Sequence, residues 1–414
     1  MTDTSAPVFN PFDPAFRADP YPFYDRLRAD DPVHVSPIGF TVLTRYEDVA
    51  RTLRGNEFAR DIEAHVIERP DDPRRARRER QRQRIEEGQV AKSILNLDPP
   101  DHTRLRRLVS LAFTPTAIDR LRPRVQQLVD DVLDRAAERG SMELVEELAF
   151  PVPFQVISDL LALPTDGSEQ IRDWSQTLTA SLEPTADDSV LDATEVAAAH
   201  MGAYLGEVIE HRRRNLGDDL LSALIQAEEA GDRLTHAELL SFVVLLYVAG
   251  HETTVNLIGN GTLALLRNPD QLRRWVADPS LDGRALDELL RFDGPVQQTV
   301  RVPMEDVVYQ GADGSDVVVP KGTLVMTVLG AASHDPAVFD DPEHLRLERA
   351  NANRHLGFAA GVHYCLGASL AKLEAGVAIT SLIRRFPQLQ LAGEPTWRDR
   401  LTIRGVDHLP LSLG

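Results

Sequence analysis

The feature that most constrains this chain is one long helical stretch. It opens on Thr235-His236-Ala237-Glu238, a capping-box pattern that satisfies two free backbone N–H groups at a helix start. No proline follows until Pro269, so a helix is predicted over 235–267. At about 1.5 Å per residue it would be roughly 50 Å long. Its first half, LLSFVVLLYVAG, is apolar all round, which predicts a path through the protein centre. In its middle stands Ala249-Gly250-His251-Glu252-Thr253-Thr254. Gly250 costs about 1 kcal/mol of helix propensity, and a buried Glu252 must be paired or neutralised. A core helix that breaks local rules in this way marks a functional site.

Helical period also covers 119–139, 196–214, 219–230, 284–292 and 366–385. Alternation from Val33 to Tyr46 around Pro37-Ile38-Gly39 predicts a β-hairpin. Val317-Val318-Val319 and Leu324-Val325-Met326 give a second β signal. The expected fold is therefore mainly α with a minor β portion. Pro7, Pro11, Pro14, Pro20 and Pro22 rule out one regular element over residues 1–22 and predict a segment wrapping over the surface. Seven arginines lie between Arg74 and Arg84, inside an arginine-rich stretch 69–92 that reads as a solvated surface helix or loop. The 414 residues allow two or three domains or one large one, and no repeat or Gly/Ser-rich linker divides them.

Lys plus Arg is 45 and Asp plus Glu is 64, a net charge of −19. That balance argues against a nucleic-acid partner, which needs excess cations. Hydrophobic residues at 43% supply a core and exclude disorder over most of the chain. The most apolar stretch, Leu239 to Gly250, is shorter than the about 20 residues of a bilayer span. The first residues lack the basic-then-apolar pattern of a secretory leader. Cys365 is the sole cysteine, which fits a reducing compartment. A cytoplasmic monomer without membrane contact is expected.

Three motif matches fail on their context. His251-Glu252-Thr253-Thr254-Val255 begins like a zinc-binding HExxH, but Val255 stands where the second histidine belongs. Gly259-Asn260-Gly261-Thr262-Leu263-Ala264 resembles a dinucleotide fingerprint, yet no strand precedes it. His363 and Cys365, two apart on a loop, diverge and make a poor base–nucleophile pair. The stretch from Gly357 to Gly367 carries more. An alanine-rich helix follows it, so Cys365 sits at a helix N-terminus, where free N–H groups stabilise a thiolate. A sole thiol so placed is a candidate metal ligand. A small buried hydrophobe is the usual role of a free cysteine, and both readings stay open on these residues alone.

Phe358-x-x-Gly361-x-His363-x-Cys365-x-Gly367 is similar to the haem-binding loop of the cytochrome P450 family, and the resemblance covers essentially the whole chain. Three further elements stand in the family's order. Ala249 to Thr254 resembles its oxygen-activating motif, and Glu288-Leu289-Leu290-Arg291 resembles its ExxR motif. Asp98-Pro99-Pro100-Asp101-His102-Thr103-Arg104-Leu105-Arg106 resembles the haem-contacting helix of soluble bacterial members. A lone ExxR carries nothing, whereas four elements in order are specific. Two positions depart. Ala359 stands where family loops often have Gly, and Ser333-His334 where Asn-Arg usually precedes Asp335-Pro336. Both bear on local turn geometry only.

The resemblance implies one domain over 1–414, with the long helix crossing a haem b. It implies iron held by the Cys365 thiolate, whose electron donation favours O–O cleavage in the family as a whole. Amides near Leu366 and Gly367 would donate to the sulfur, and Phe358 would cover it. His102, Arg106, Arg301 and His363 would hold the propionates; His102 and Arg106, four apart, share a helix face. Ala249 and Gly250 would leave room for dioxygen. Thr253 and Glu252 are the implied catalytic pair, with Glu252 relaying protons from solvent. Glu288 and Arg291 would form a structural ion pair. Ile94, Leu95, Leu97, Leu245, Val248, Val296 and Gln297 would line a pocket for an apolar organic substrate. Electrons would come from ferredoxin and its reductase, docking near Arg104 and Arg107. Monooxygenation is the expected reaction. The alternatives are peroxide-driven oxidation, oxidative coupling or ring formation and, more distantly, a non-haem cysteine hydrolase or binding protein.

Overall fold

The computed structural model describes residues 8–67, 75–110, 113–163, 168–217, 219–229 and 234–414. The long helix runs His236–Arg267 and opens on the expected capping box. The Thr235 amide donates to Glu238 Oε2 at 2.7 Å, and the Glu238 amide to Thr235 Oγ1 at 3.2 Å. Helices Pro151–Leu160, Ser168–Ala180, Asp188–Arg214, Asp282–Asp293 and Ala368–Arg385 pack around it. It is the one described helix long and apolar enough to cross a membrane, and 67% of its most apolar window lies buried inside the fold.

The fully enclosed part is the second half, not the first. Every residue from Thr254 to Leu265 is buried, whereas Leu245, Val248, Ala249 and Thr253 are not. One side of the first half is left uncovered by protein. In the second half the glycines serve close packing, since a Cβ on Gly259 would come within 2.6 Å of Val406 Cγ2.

The hairpin pairs Val33–Val35 with Phe40–Leu43, in the register Val33 opposite Leu43. It is the edge of a five-stranded sheet continued by Leu324–Val328, Gln298–Pro303 and Phe58–Ala59. The valine run at 316–319 does not pair with 324–328. It pairs with Val307–Gln310, and Leu324–Val328 joins Phe40–Leu43 in parallel. The C-terminal hairpin, Thr396–Trp397 with Val406–His408, comes back against the long helix.

The N-terminal segment departs from a surface wrap. Residues 1–7, with Pro7, lie outside the described residues. Beyond them, Phe9 and Phe16 are buried, packed with Tyr24 and Leu27 in a cluster that includes Val42, Met326 and Val328 of the sheet. Pro14 and Pro22 sit in first helical turns, where a missing N–H costs nothing. The arginine run forms helix Arg75–Glu86 and buries no residue; Arg74 lies outside the described residues.

Candidate active site

Residues 357–367 form an irregular loop leading into helix Ala368–Arg385. The Cys365 amide donates to the Phe358 carbonyl at 3.0 Å, which closes the loop. Its reversal needs two left-handed residues, Ala359 at φ 56° and Gly361 at φ 72°. A Cβ on Gly361 would meet the Leu53 carbonyl oxygen at 2.4 Å, so that position requires glycine. The Cys365 side chain is surface-accessible yet enclosed on most sides. That enclosure pushes its thiol up, opposed by a hydrogen bond from the Gly367 backbone and by the Arg106 charge. Phe358 is half-buried, with the rings of His355 and Tyr364 at 5.6 and 6.2 Å.

Beside this loop the fold gathers basic side chains. The His102 and His363 rings stand 4.1 Å apart. Burial, then His102, Arg301, Arg60 and Arg106, drive His363 down to about 3, and its buried Nε2 carries no hydrogen bond. Burial and Arg106 lower His102. Burial and then Arg60 lower Arg301 to about 9. Arg301 donates to Thr299 Oγ1 at 3.3 Å and the Val300 carbonyl at 2.9 Å, and no carboxylate pairs with it among the described residues. Arg106 donates to the Tyr364 carbonyl at 2.6 Å, next to Cys365. Asp98 opposes the cluster with one charge, its oxygens accepting the Arg60 and Asp61 amides at 2.8 and 3.0 Å. Crowded, partly buried basic groups, with Arg301 short of a counter-charge, call for an anionic guest that would favour their charged forms. The two propionates of haem fit that need, and the enclosed thiol fits its iron.

On the uncovered side of the long helix, Ala249 is exposed and the Thr253 hydroxyl donates to its carbonyl at 2.9 Å. Glu252 points elsewhere, because neighbouring residues on a helix diverge by about 100°. It is 2% exposed. It accepts hydrogen bonds from Arg398 Nη1 at 3.0 Å and Thr179 Oγ1 at 2.7 Å, with Arg400 Nη1 at 3.6 Å. Its carboxylate is thus ion-paired rather than aimed along the Thr253 side. His251 packs edge-on to Phe150, with ring centroids 4.5 Å apart. Neither of its nitrogens is hydrogen-bonded, and burial drives it to about 3. Thr254 meets Glu374, a carboxyl that burial pushes well above its usual range.

Val248, Ile94 and Leu97 are partly buried against the main core, Leu245 is half-buried, and Leu95 is 43% exposed. Val296 bridges to Ile403. Gln297 does not line the pocket, because successive side chains in extended backbone point to opposite sides. It is fully buried, its amide donating to Tyr21 Oη at 3.1 Å and the Gly294 carbonyl at 2.8 Å. Arg104 faces away from His102 and Arg106, as the helix spacing expects, and pairs with Glu238 of the capping box. Arg107 is exposed.

Glu288 and Arg291 form a bidentate buried pair at 2.7 and 2.8 Å. Arg349, which the sequence did not single out, adds bonds to Glu288 at 3.0 and 3.1 Å. Arg291 also donates to the Ser333 and Pro342 carbonyls at 3.1 and 2.8 Å, fastening the segment that precedes the cysteine loop. Arg60, Arg398 and Arg400 were likewise missed, and no local pattern marks them.

A family model described as Cytochrome P450 matches residues 58–276 and 283–398. The chain is 41% identical to Cytochrome P450 107B1 of Saccharopolyspora erythraea over the full length of both. It is 41% identical to the cytochrome P450 monooxygenase PikC of Streptomyces venezuelae, over 96% of this chain and 91% of that one. Among solved structures, P450BioI in complex with an acyl carrier protein ligated to hexadec-9Z-enoic acid superposes with a TM-score of 0.85. That match has 35% identity and covers 96% of this chain and 99% of the other.

Proposed function

This chain belongs to the cytochrome P450 family and is a haem-dependent monooxygenase, and on that premise we propose that it takes electrons from a ferredoxin to hydroxylate an apolar organic substrate. It acts in the cytoplasm as one catalytic domain over 1–414. Haem, when bound, supplies the oxygen chemistry. In balance, the substrate C–H, O2, two electrons and two protons give an alcohol and water.

The chain's own residues do the rest. Cys365 would hold the iron through its sulfur, to which the Gly367 backbone donates a hydrogen bond. His102, Arg301 and His363, with Arg60 beside them, would hold the propionates; Arg106 would share this role while bonded to the Tyr364 carbonyl. Phe358 excludes water from the sulfur. Ala249 and Gly250 keep space clear, and Leu245 and Val248 offer an apolar wall. Thr253 holds a proton at Oγ1, which here is donated to the Ala249 carbonyl and would be available on the open side of the helix. Glu252 delivers protons to it, which requires exchange of its bonds to Arg398 and Thr179. Arg107 on the exposed face of its helix offers a docking charge to an acidic ferredoxin. The observation that carries this reading is the cluster of basic groups His102, His363, Arg301 and Arg60 set beside the sole cysteine.

A second reading concerns delivery. The arginine-rich helix favours a substrate carried on a protein, as in the solved P450BioI complex.

The test is reconstitution with ferredoxin, its reductase and reduced nicotinamide, counting product and peroxide. The wild type should couple nicotinamide to product, and Thr253→Ala should divert electrons to hydrogen peroxide. An unchanged ratio in Thr253→Ala, with full turnover on added peroxide alone, would transfer the protein to the peroxide-driven class.

A further inference from the structure

A buried carboxylate behind the cysteine loop takes no part in the reaction as described so far. Glu288 and Arg291 fasten the segment that precedes the loop. Asp287, one residue earlier on helix Asp282–Asp293, points elsewhere because neighbours on a helix diverge by about 100°. It is buried, and it meets the loop itself. Asp287 Oδ1 lies 3.3 Å from His355 Nε2 and pairs with the Lys372 ammonium of helix Ala368–Arg385. His355 is buried too, and its Nδ1 accepts the Gly357 amide at 3.1 Å. An accepting nitrogen carries no proton, so the ring proton stands on Nε2 and is donated to Asp287. Burial opposes the Asp287 charge, but His355 and Lys372 outweigh it and hold the carboxyl below its usual range.

The three residues converge on one ring. The His355 and Phe358 ring centroids are 5.6 Å apart, and Lys372 Nζ lies 5.9 Å from the Phe358 centroid, within reach of the ring's negative face. The fit at Gly357 is close: a Cβ there would come within 3.2 Å of His355 Nδ1 and 3.4 Å of the Leu290 carbonyl oxygen. The Phe358 carbonyl in turn accepts the Cys365 amide at 3.0 Å. A continuous run of contacts thus leads from Asp287 through His355 and the Gly357–Phe358 backbone to the cysteine.

We propose that Asp287, His355 and Lys372 are positioning residues for the sulfur ligand: they fix the loop at Gly357 and Phe358, and their two charges set how readily the iron takes up an electron. The proposal rests on the haem-thiolate reading and adds the groups that hold and tune the ligand. Reduction adds negative charge at the haem, so the Asp287 carboxylate opposes it and the Lys372 ammonium favours it. A role in packing alone would not give the two charges opposite effects.

The experiment uses the haem-loaded full chain and four variants: Asp287→Asn, Lys372→Met, His355→Asn and His355→Leu. Haem content and melting midpoint check that each is folded. The iron reduction potential is measured by spectroelectrochemical titration. The reduced carbon monoxide spectrum is recorded, and amide exchange of the peptide spanning 355–360 is followed by mass spectrometry. Asp287→Asn should move the potential up, and Lys372→Met, which keeps the apolar stem, should move it down. His355→Asn retains an acceptor for the Gly357 amide and should retain the thiolate band. His355→Leu keeps the bulk without the acceptor. It should convert part of that band to a neutral-ligand form and speed exchange of the 355–360 amides by about tenfold. Shifts of both charge variants in one direction, or no shift in either, would overturn the tuning. A full thiolate band with unchanged exchange in His355→Leu would overturn the positioning. The exchange readout does not depend on the iron ligand. A wild type without the thiolate band, whose 355–360 amides still loosen in His355→Leu, would fail the haem reading and still support the clamp on the loop.

Discussion

Glu252 is a carboxylate inside a packed helix, and the groups that meet it decide what it can do. Arg398, Arg400 and the Thr179 hydroxyl together satisfy it. The two arginines come from the C-terminal hairpin segment, so the far end of the chain stabilises the charge at the centre. Removing one partner of such a pair leaves a buried charge short of compensation. Arg398→Gln should lower unfolding stability by about 3 kcal/mol, the low end for a broken buried pair because Arg400 remains. Arg398→Lys should recover part of the loss, read as denaturant midpoints at constant slope. Equal midpoints in wild type and Arg398→Gln would mean that Glu252 does not depend on this pair. Thr253, one residue on, is governed by different contacts, and its replacement should change coupling while leaving stability nearly intact.

Among the elements, the cysteine loop is held in shape by backbone conformation. Ala359 adopts φ 56°, a conformation that an L side chain resists. Ala359→Gly should therefore raise stability by about 1 kcal/mol, read as a higher melting midpoint. Gly361→Ala should lower it further than that gain, since its Cβ would press on the Leu53 carbonyl. The opposite order would show that the loop is free to take another path. What could be read ahead of the structure follows from locality. The long helix announced itself through Thr235, Glu238 and an uninterrupted apolar run. The start of Asp188–Arg214 had a signal that was passed over: Asp187 caps it, accepting the Val190 amide at 3.0 Å. The prolines exclude one regular element over 1–22, and the described part does divide into helices Pro14–Ala18 and Tyr21–Asp30, with Pro14 and Pro22 in their first turns. His102, Arg106, Arg301 and His363 were legible only through family likeness. Arg60, Arg349 and Arg398 were not legible, because what gives each its role lies far off in sequence. Arg398 meets a residue 146 positions away.

For the molecule as a whole, acid should be the direction of failure. His251 and His334 are buried and held neutral, each down to about 3 chiefly by burial. The unfolded chain protonates them near the ordinary value of about 6.5. Their contribution is thus fully present above pH about 6.5 and is lost as pH falls toward 3, at up to about 1.4 kcal/mol per pH unit for each. His251→Phe should flatten that slope in acid melts, and an unchanged slope would place the acid sensitivity elsewhere. At neutral pH the whole account turns on one bond, from the Cys365 sulfur to haem iron. The most direct test is the absorption spectrum of the reduced protein under carbon monoxide, in wild type and in Cys365→His. The account predicts the long-wavelength band of a thiolate ligand in the wild type and its loss in the variant. A thiolate band that survives Cys365→His, or a wild-type spectrum of a neutral-ligand haem, would contradict it.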